Sequence, residues 1–251
     1  MPTSDLRENL ERLEDKILTA CRAAGRTRGQ VELMAVSKTH PSASLAEAVS
    51  LGLHLFGENR VQEFAAKSEQ LAVTQQSGKS STIRSQMQVH LIGHLQSNKA
   101  AKAIEVFDGI DSLDSLKLAE RLNAAAGGSP LWADRRLPVL VEIKLSHEEA
   151  KAGLAPGSHE LSDLLERFPD FKHLEARGLM TIAPFGVSED ETRACFRALS
   201  LLRDKLSQAY SNLNLQTLSM GMSGDFALAI AEGSTRIRVG TALFGARDYP
   251  Q

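Results

Sequence analysis

The stretch VELMAVSKTHPSASLAEAVSLG, residues 31–52, sets the pattern of the whole chain. Its first six residues are a short apolar, partly β-branched run, suited to a strand buried on both faces. Pro41 and Ser42 then suit a helix start and Gly52 its stop. The unit is a strand followed by a helix.

Outward from it the unit recurs. LHLFG (53–57) precedes a helix from about Asn59, VHLIG (89–93) one through Lys99 and Ile104, and VFDGID (106–111) one from Leu116 to Ala126. PVLVEIKL (138–145) leads to Glu160–Phe168, ARGLMTI (176–182) to a helix opened by the capping pair Ser188 and Glu191, and TLSM (217–220) to Asp225–Ala231, before a last strand, TRIRVG (235–240). Eight mostly apolar strands separated by helices predict an α/β (β/α)8 TIM barrel, with an open doubly wound sheet as the rival. Leu6, Leu10, Leu13, Ile17, Cys21 and Ala24 fall on one face of an extra N-terminal helix that Gly25 can cap. The polar segment Thr74–Gln88 reads as a long exposed loop, so residues 1–251 form one domain.

Composition narrows the function classes. The 251 residues are 42% hydrophobic and 24% charged, a balance that supports a buried core. A net charge of -2 supplies no field for a nucleic-acid backbone or an anionic membrane. No apolar run approaches the roughly 20 residues a bilayer span needs, and the charged N-terminus lacks the apolar core of a signal peptide. Cys21 and Cys195 fall in predicted helices without disulfide or metal spacing, so a cytoplasmic location is expected.

Three features could carry chemistry. Lys38 follows the first strand by two residues, which in a barrel puts its amine at the C-terminal mouth, where a lowered pKa would let it form a Schiff base with an aldehyde. A salt-bridged surface lysine would look the same. SMGMSGD (219–225) and VGTALFG (239–245) follow the seventh and eighth strands, where barrels commonly hold phosphate, and their small residues and hydroxyls, with the helix start near Asp225, suit an anion. Simple turns are the plainer account. Arg238 shares a strand face with Gly240 and needs a partner, either Asp225, Glu232 or a ring-nitrogen acceptor. Taken together, amine, phosphate cradle and arginine describe one ligand, pyridoxal 5'-phosphate.

At these residues the chain resembles the YggS/PROSC family of pyridoxal phosphate homeostasis proteins. The likeness runs through AVSKTHP (35–41), FGENRVQE (56–63), HLIGHLQSNK (90–99), GLMTIAPF (178–185) and LSMGMSGDFALAIAEGSTRIRVGTALFGARDY (218–249). The resemblance implies a barrel like the alanine racemase N-terminal domain, with Lys38 as the Schiff-base residue and Arg238 facing the pyridine nitrogen. It further implies that Ser223, Gly240 and Thr241 hold the phosphate and that Asn59 lies beside the ring. Ser219 is a weaker phosphate candidate, placed only by its position at a strand end. Arg60 and the length of the Thr74–Gln88 connection depart from the family pattern.

The implied role is a monomeric, non-catalytic carrier in vitamin B6 homeostasis, with pyridoxal-phosphate-dependent apoenzymes as recipients. Arginine cannot share a proton with the ring nitrogen as a carboxylate can, which weakens the ring as an electron sink. The chain also ends shortly after its eighth strand, with only Tyr210 and Tyr249 as tyrosines, so the second domain of a racemase is not expected. A small racemase using Lys38 and a pocket histidine, or a cofactor-free aldolase, are the alternatives. His90 and His94 have HxxxH spacing but no evident third ligand, so no metal site is expected; His40 could approach the cofactor, and Trp132 in its polar loop carries no functional reading.

Overall fold

Eight strands close on themselves in chain order: β1 (Glu32–Val36), β2 (Leu55–Glu58), β3 (Gln88–Leu91), β4 (Gly109–Leu113), β5 (Leu137–Glu142), β6 (Leu174–Met180), β7 (Thr217–Ser219) and β8 (Arg236–Val239). Each pairs in parallel with the next, and β8 returns to β1 in a register that sets Met34 beside Arg238 and Ala35 beside Val239. That last ladder excludes the open sheet and removes both edges. The computed structural model describes residues 6–73, 82–145 and 152–245. Tyr249 lies outside them.

Helices α1 (Leu6–Ala23), α2 (Ser42–Ser50), α3 (Val61–Val73), α4 (Ala100–Val106), α5 (Leu116–Gly127), α6 (His159–Arg167), α7 (Glu189–Ala209), α8 (Phe226–Ala231) and the one-turn α9 (Thr241–Phe244) cover the barrel. The extra helix α1 buries Leu6, Leu13, Ile17 and Cys21, and Gly25 follows it with a left-handed φ of +66°. It packs on α8 and α9, where Asn9 Nδ2 donates to the Leu243 carbonyl at 3.0 Å. The N-terminal helix thus braces the segment after β8. Ser188 and Glu191 form the expected capping box at the start of α7.

Three expectations need correction. VFDGID is not one strand: Val106 ends α4, Phe107 is buried in the core, and β4 begins at Gly109. In the segment read as the loop Thr74–Gln88, residues 74–81 lie outside the described ones, but Ile83–Gln86 forms a 3-10 turn. Ile83 and Met87 are buried there, and Arg84 bonds the Val106 carbonyl and Asp108 Oδ2, both at 2.9 Å, so packing overrides the polar composition. Trp132 is a core residue, its indole N–H donating to the Ile104 carbonyl at 2.9 Å.

The base of the barrel holds a closed ionic network. Arg236 Nε donates to Glu32 Oε2 at 2.7 Å and its Nη1 to Asp111 Oδ2 at 3.1 Å, while Asp111 Oδ1 meets His90 Nδ1 at 2.7 Å. Burial alone would raise the Asp111 carboxyl, but His90 and Arg236 outweigh it and hold it below the usual aspartate range.

Candidate functional site

A cavity of about 600 Å3 opens at the C-terminal ends of the strands. Lys38 and Asn59 line it from the β1 and β2 ends, Arg238 from β8, and Ser223, Gly240 and Thr241 from the loops after β7 and β8. Six of the seven expected site residues thus share one concavity.

Lys38 sits in a tight turn closed by the His40 N–H on the Ser37 carbonyl at 3.1 Å. The next residue, Thr39, takes φ +68°, a left-handed conformation that costs a β-branched residue energy. His40 also lines the cavity and stacks on Phe244 with centroids 4.9 Å apart. Asn59 can lie against the end of β3 because residue 93 is glycine: a Cβ there would collide with the Asn59 carbonyl oxygen. Arg60, beside it, is exposed and does not line the cavity.

Arg238 is 4% exposed, and neither carboxylate partner considered from sequence bonds it. Its Nη1 donates to the Ser219 carbonyl and Oγ at 2.6 and 2.8 Å, and its Nη2 to the Thr181 carbonyl at 2.8 Å. Nε remains without an acceptor among the described residues. Burial pushes the guanidinium down from its ordinary value, and Asp111, Glu142 and Asp225 offset this only in part. Glu232 is instead taken by Arg193 and Arg197.

Ser219 is the correction within the site. It is fully buried, its hydroxyl is engaged by Arg238, and it does not line the cavity, so it positions the arginine rather than an anion. Its place at the end of β7 was no guide, because alternate residues there face different sides.

The cradle is assembled from two loops. Ser223 Oγ accepts from the Ala242 N–H at 3.3 Å, tying the loop after β7 to α9. The N–H groups of Ser223, Gly224, Gly240 and Thr241 donate to no backbone carbonyl among the described residues. The start of α8 contributes less than expected, since the Phe226 N–H is satisfied by the Met222 carbonyl at 2.9 Å. Uncommitted donors and hydroxyls suit the acceptor-only oxygens of a phosphate, a spare guanidinium N–H suits a pyridine nitrogen, and a primary amine suits a carbonyl. This donor set fits pyridoxal 5'-phosphate.

One cavity residue escaped sequence reading. Glu142, at the end of β5, interrupts the apolar run Leu137–Ile143, yet it is 7% exposed and lines the cavity. Burial first, and the Asp114 charge second, raise its carboxyl to about 7 despite Arg238 and His94. His90 and His94 do not act as a pair: His90 belongs to the basal network, and His94 Nδ1 lies 2.8 Å from Asp114 Oδ2 at the mouth.

Comparison with known proteins identifies the family of the chain. The model of the alanine racemase N-terminal domain family matches residues 8–248. The pyridoxal phosphate homeostasis protein of Pseudomonas aeruginosa is 40% identical over 248 residues, covering 98% of this chain and 97% of that one. Its Haemophilus influenzae counterpart is 38% identical over 245 residues, again with 98% and 97% coverage. PipY of Synechococcus elongatus PCC7942, solved with PLP bound, superposes with a TM-score of 0.77 at 40% identity, covering 96% of this chain and 100% of that one. The chain belongs to the pyridoxal phosphate homeostasis protein family, built on the alanine racemase N-terminal-domain barrel.

Proposed function

We propose that this chain binds pyridoxal 5'-phosphate and serves vitamin B6 homeostasis as a carrier without efficient catalysis of its own. The observation that carries this is Arg238, which lines the cavity, bonds only neutral acceptors and keeps its Nε uncommitted among the described residues. The names of the relatives and the PLP-bound PipY support it. When bound, the cofactor supplies an aldehyde reactive toward amines and a ring able to withdraw electrons.

Each group then has a task. Lys38 would supply the primary amine through which the cofactor's aldehyde is held. Ser223, Gly240 and Thr241 would hold the phosphate through hydroxyl and N–H donors, with Asn59 beside the ring. Arg238 would donate to the ring nitrogen and cannot accept a proton from it, which would leave the ring a weak electron sink. That favours storage of the aldehyde over turnover. The protein acts as a cytoplasmic monomer, with the small-molecule cofactor as its ligand and pyridoxal-phosphate-dependent apoenzymes as recipients, away from nucleic acid and membrane. No helix among the described residues is long and apolar enough to cross a membrane.

Glu142 favours a second reading: a carboxyl titrating at about 7 in the same cavity could move a proton, giving slow racemase-like exchange. One set of measurements separates the two. Protein loaded with pyridoxal phosphate is reduced with borohydride and mapped, expecting the adduct on Lys38 alone and none in Lys38→Ala. Attachment elsewhere overturns the assignment. Fast α-proton exchange from amino acids in deuterated water, abolished by Lys38→Ala, would replace the carrier with an enzyme.

A further inference from the structure

Behind the barrel wall, under the turn that carries Lys38, lies a polar cluster that the binding site does not use. Gly57 and Asn59 face inward, so Glu58 between them points outward against α3. It is completely buried, as is Ser37, whose hydroxyl donates to Glu58 Oε1 at 2.8 Å. Lys67 of α3, 8% exposed, joins the cluster together. Its Nζ donates to Glu58 Oε1 at 2.9 Å, to the Ser37 carbonyl at 3.1 Å and to Glu63 Oε1 at 2.8 Å. Glu63 in turn accepts the Thr39 N–H at 2.6 Å. Both neighbours of Lys38 are therefore gripped by one network.

Two features set this apart from ordinary packing. Glu58 Oε2 is a buried oxygen without a hydrogen-bond partner among the described residues, a costly arrangement that an apolar pair of similar volume would avoid. Thr39 is also held in a left-handed conformation that a threonine does not adopt unaided. Strain of this kind persists only where surrounding bonds impose it, and here the bond on the Thr39 N–H comes from a carboxylate fixed by Lys67.

We propose that Lys67 is a positioning residue for Lys38: through Ser37, Glu58 and Glu63 it imposes the turn that presents the Lys38 amine to the cavity. This rests on the reading of Lys38 as the attachment residue. Lys67 is buried behind the wall and does not line the cavity, so its loss leaves the late loops and Arg238 in place. The effect falls on covalent attachment alone.

The test compares two probes, pyridoxal 5'-phosphate and pyridoxine 5'-phosphate, which shares ring and phosphate but has an alcohol in place of the aldehyde. Lys67→Met is expected to weaken pyridoxal phosphate about tenfold or more and to shift the pH midpoint of its visible absorption band, leaving pyridoxine phosphate within about twofold. Adding Thr39→Gly to Lys67→Met is expected to recover most of the loss, because glycine takes a positive φ without strain. Equal weakening of both probes, no weakening, or no recovery with glycine overturns the proposal. Should Lys67→Met fail to fold, Glu63→Gln makes the same comparison from a half-buried position, with about threefold weakening of pyridoxal phosphate only. A wild-type borohydride adduct mapped away from Lys38 sinks the attachment reading itself; an adduct on Lys38 with an indifferent Lys67→Met sinks only the role of Lys67.

Discussion

Arg236 and Arg238 are two residues apart on β8, share one face of the strand and are both drawn into the barrel, yet their surroundings are opposite. Arg236 meets two carboxylates, Glu32 and Asp111; burial works against its charge, but those partners outweigh it and raise its pKa. Arg238 meets two carbonyls and a hydroxyl, and burial prevails, lowering its pKa. The first charge is balanced within the protein. The second is not, which marks where a ligand would complete the arrangement.

The contrast can be broken most directly at the base. Arg236→Met leaves Asp111 buried with only His90, and is expected to cost about 3–5 kcal/mol, lowering the melting temperature of the ligand-free protein by roughly 10 °C or more. A smaller loss than that from Arg238→Met would refute the distinction.

Glu142 sharpens the comparison by pH. Its folded-state pKa of about 7 lies above the ordinary 4.5, so the fold favours the neutral acid. The stability this contributes is complete below about pH 4.5 and is lost as pH rises through 7, on the order of 3 kcal/mol in total. Denaturant unfolding across that range should show the decline relative to Glu142→Gln, and parallel profiles for the two proteins would contradict it. Asp114, His94 and Arg238 are the charges that set this titration.

Arg238→Met should cost less stability, about 1–3 kcal/mol for the acceptors it strands, while weakening pyridoxal phosphate binding in a titration followed by absorbance. Unchanged affinity would remove the ring-nitrogen role. The smallest expected effect is Ser223→Ala, which deletes one hydroxyl donor and the link to Ala242, for about 1 kcal/mol or fivefold in affinity. A loss in pyridoxal affinity equal to that for the phosphate ester would place Ser223 outside the phosphate site.

Much of the barrel was legible because strands such as Leu137–Glu142 are apolar runs bounded by helix signals. The reading failed where one apolar run spans two elements, as at Val106 and Phe107, and where polar residues are interior, as with Asp111 and Ser112 in β4. Lys38, Arg238 and the late loops stood out by their places relative to strand ends. Glu142 and the Glu58–Lys67 pair did not, because hydrophobic periodicity reads a buried carboxylate as an interruption. Nothing local in the sequence relates Lys67 to Ser37, which lies 30 positions away.

The ladder between β1 and β8 joins residues as far apart as Glu32 and Arg236, 204 positions in the chain. During synthesis Lys38 therefore emerges long before the loops after β7 and β8, and the cavity they share is complete only once the final strand has docked. A ligand that recognises only the closed ring stabilises that last step by mass action, so vitamin supply becomes a term in how long the finished ring stays shut.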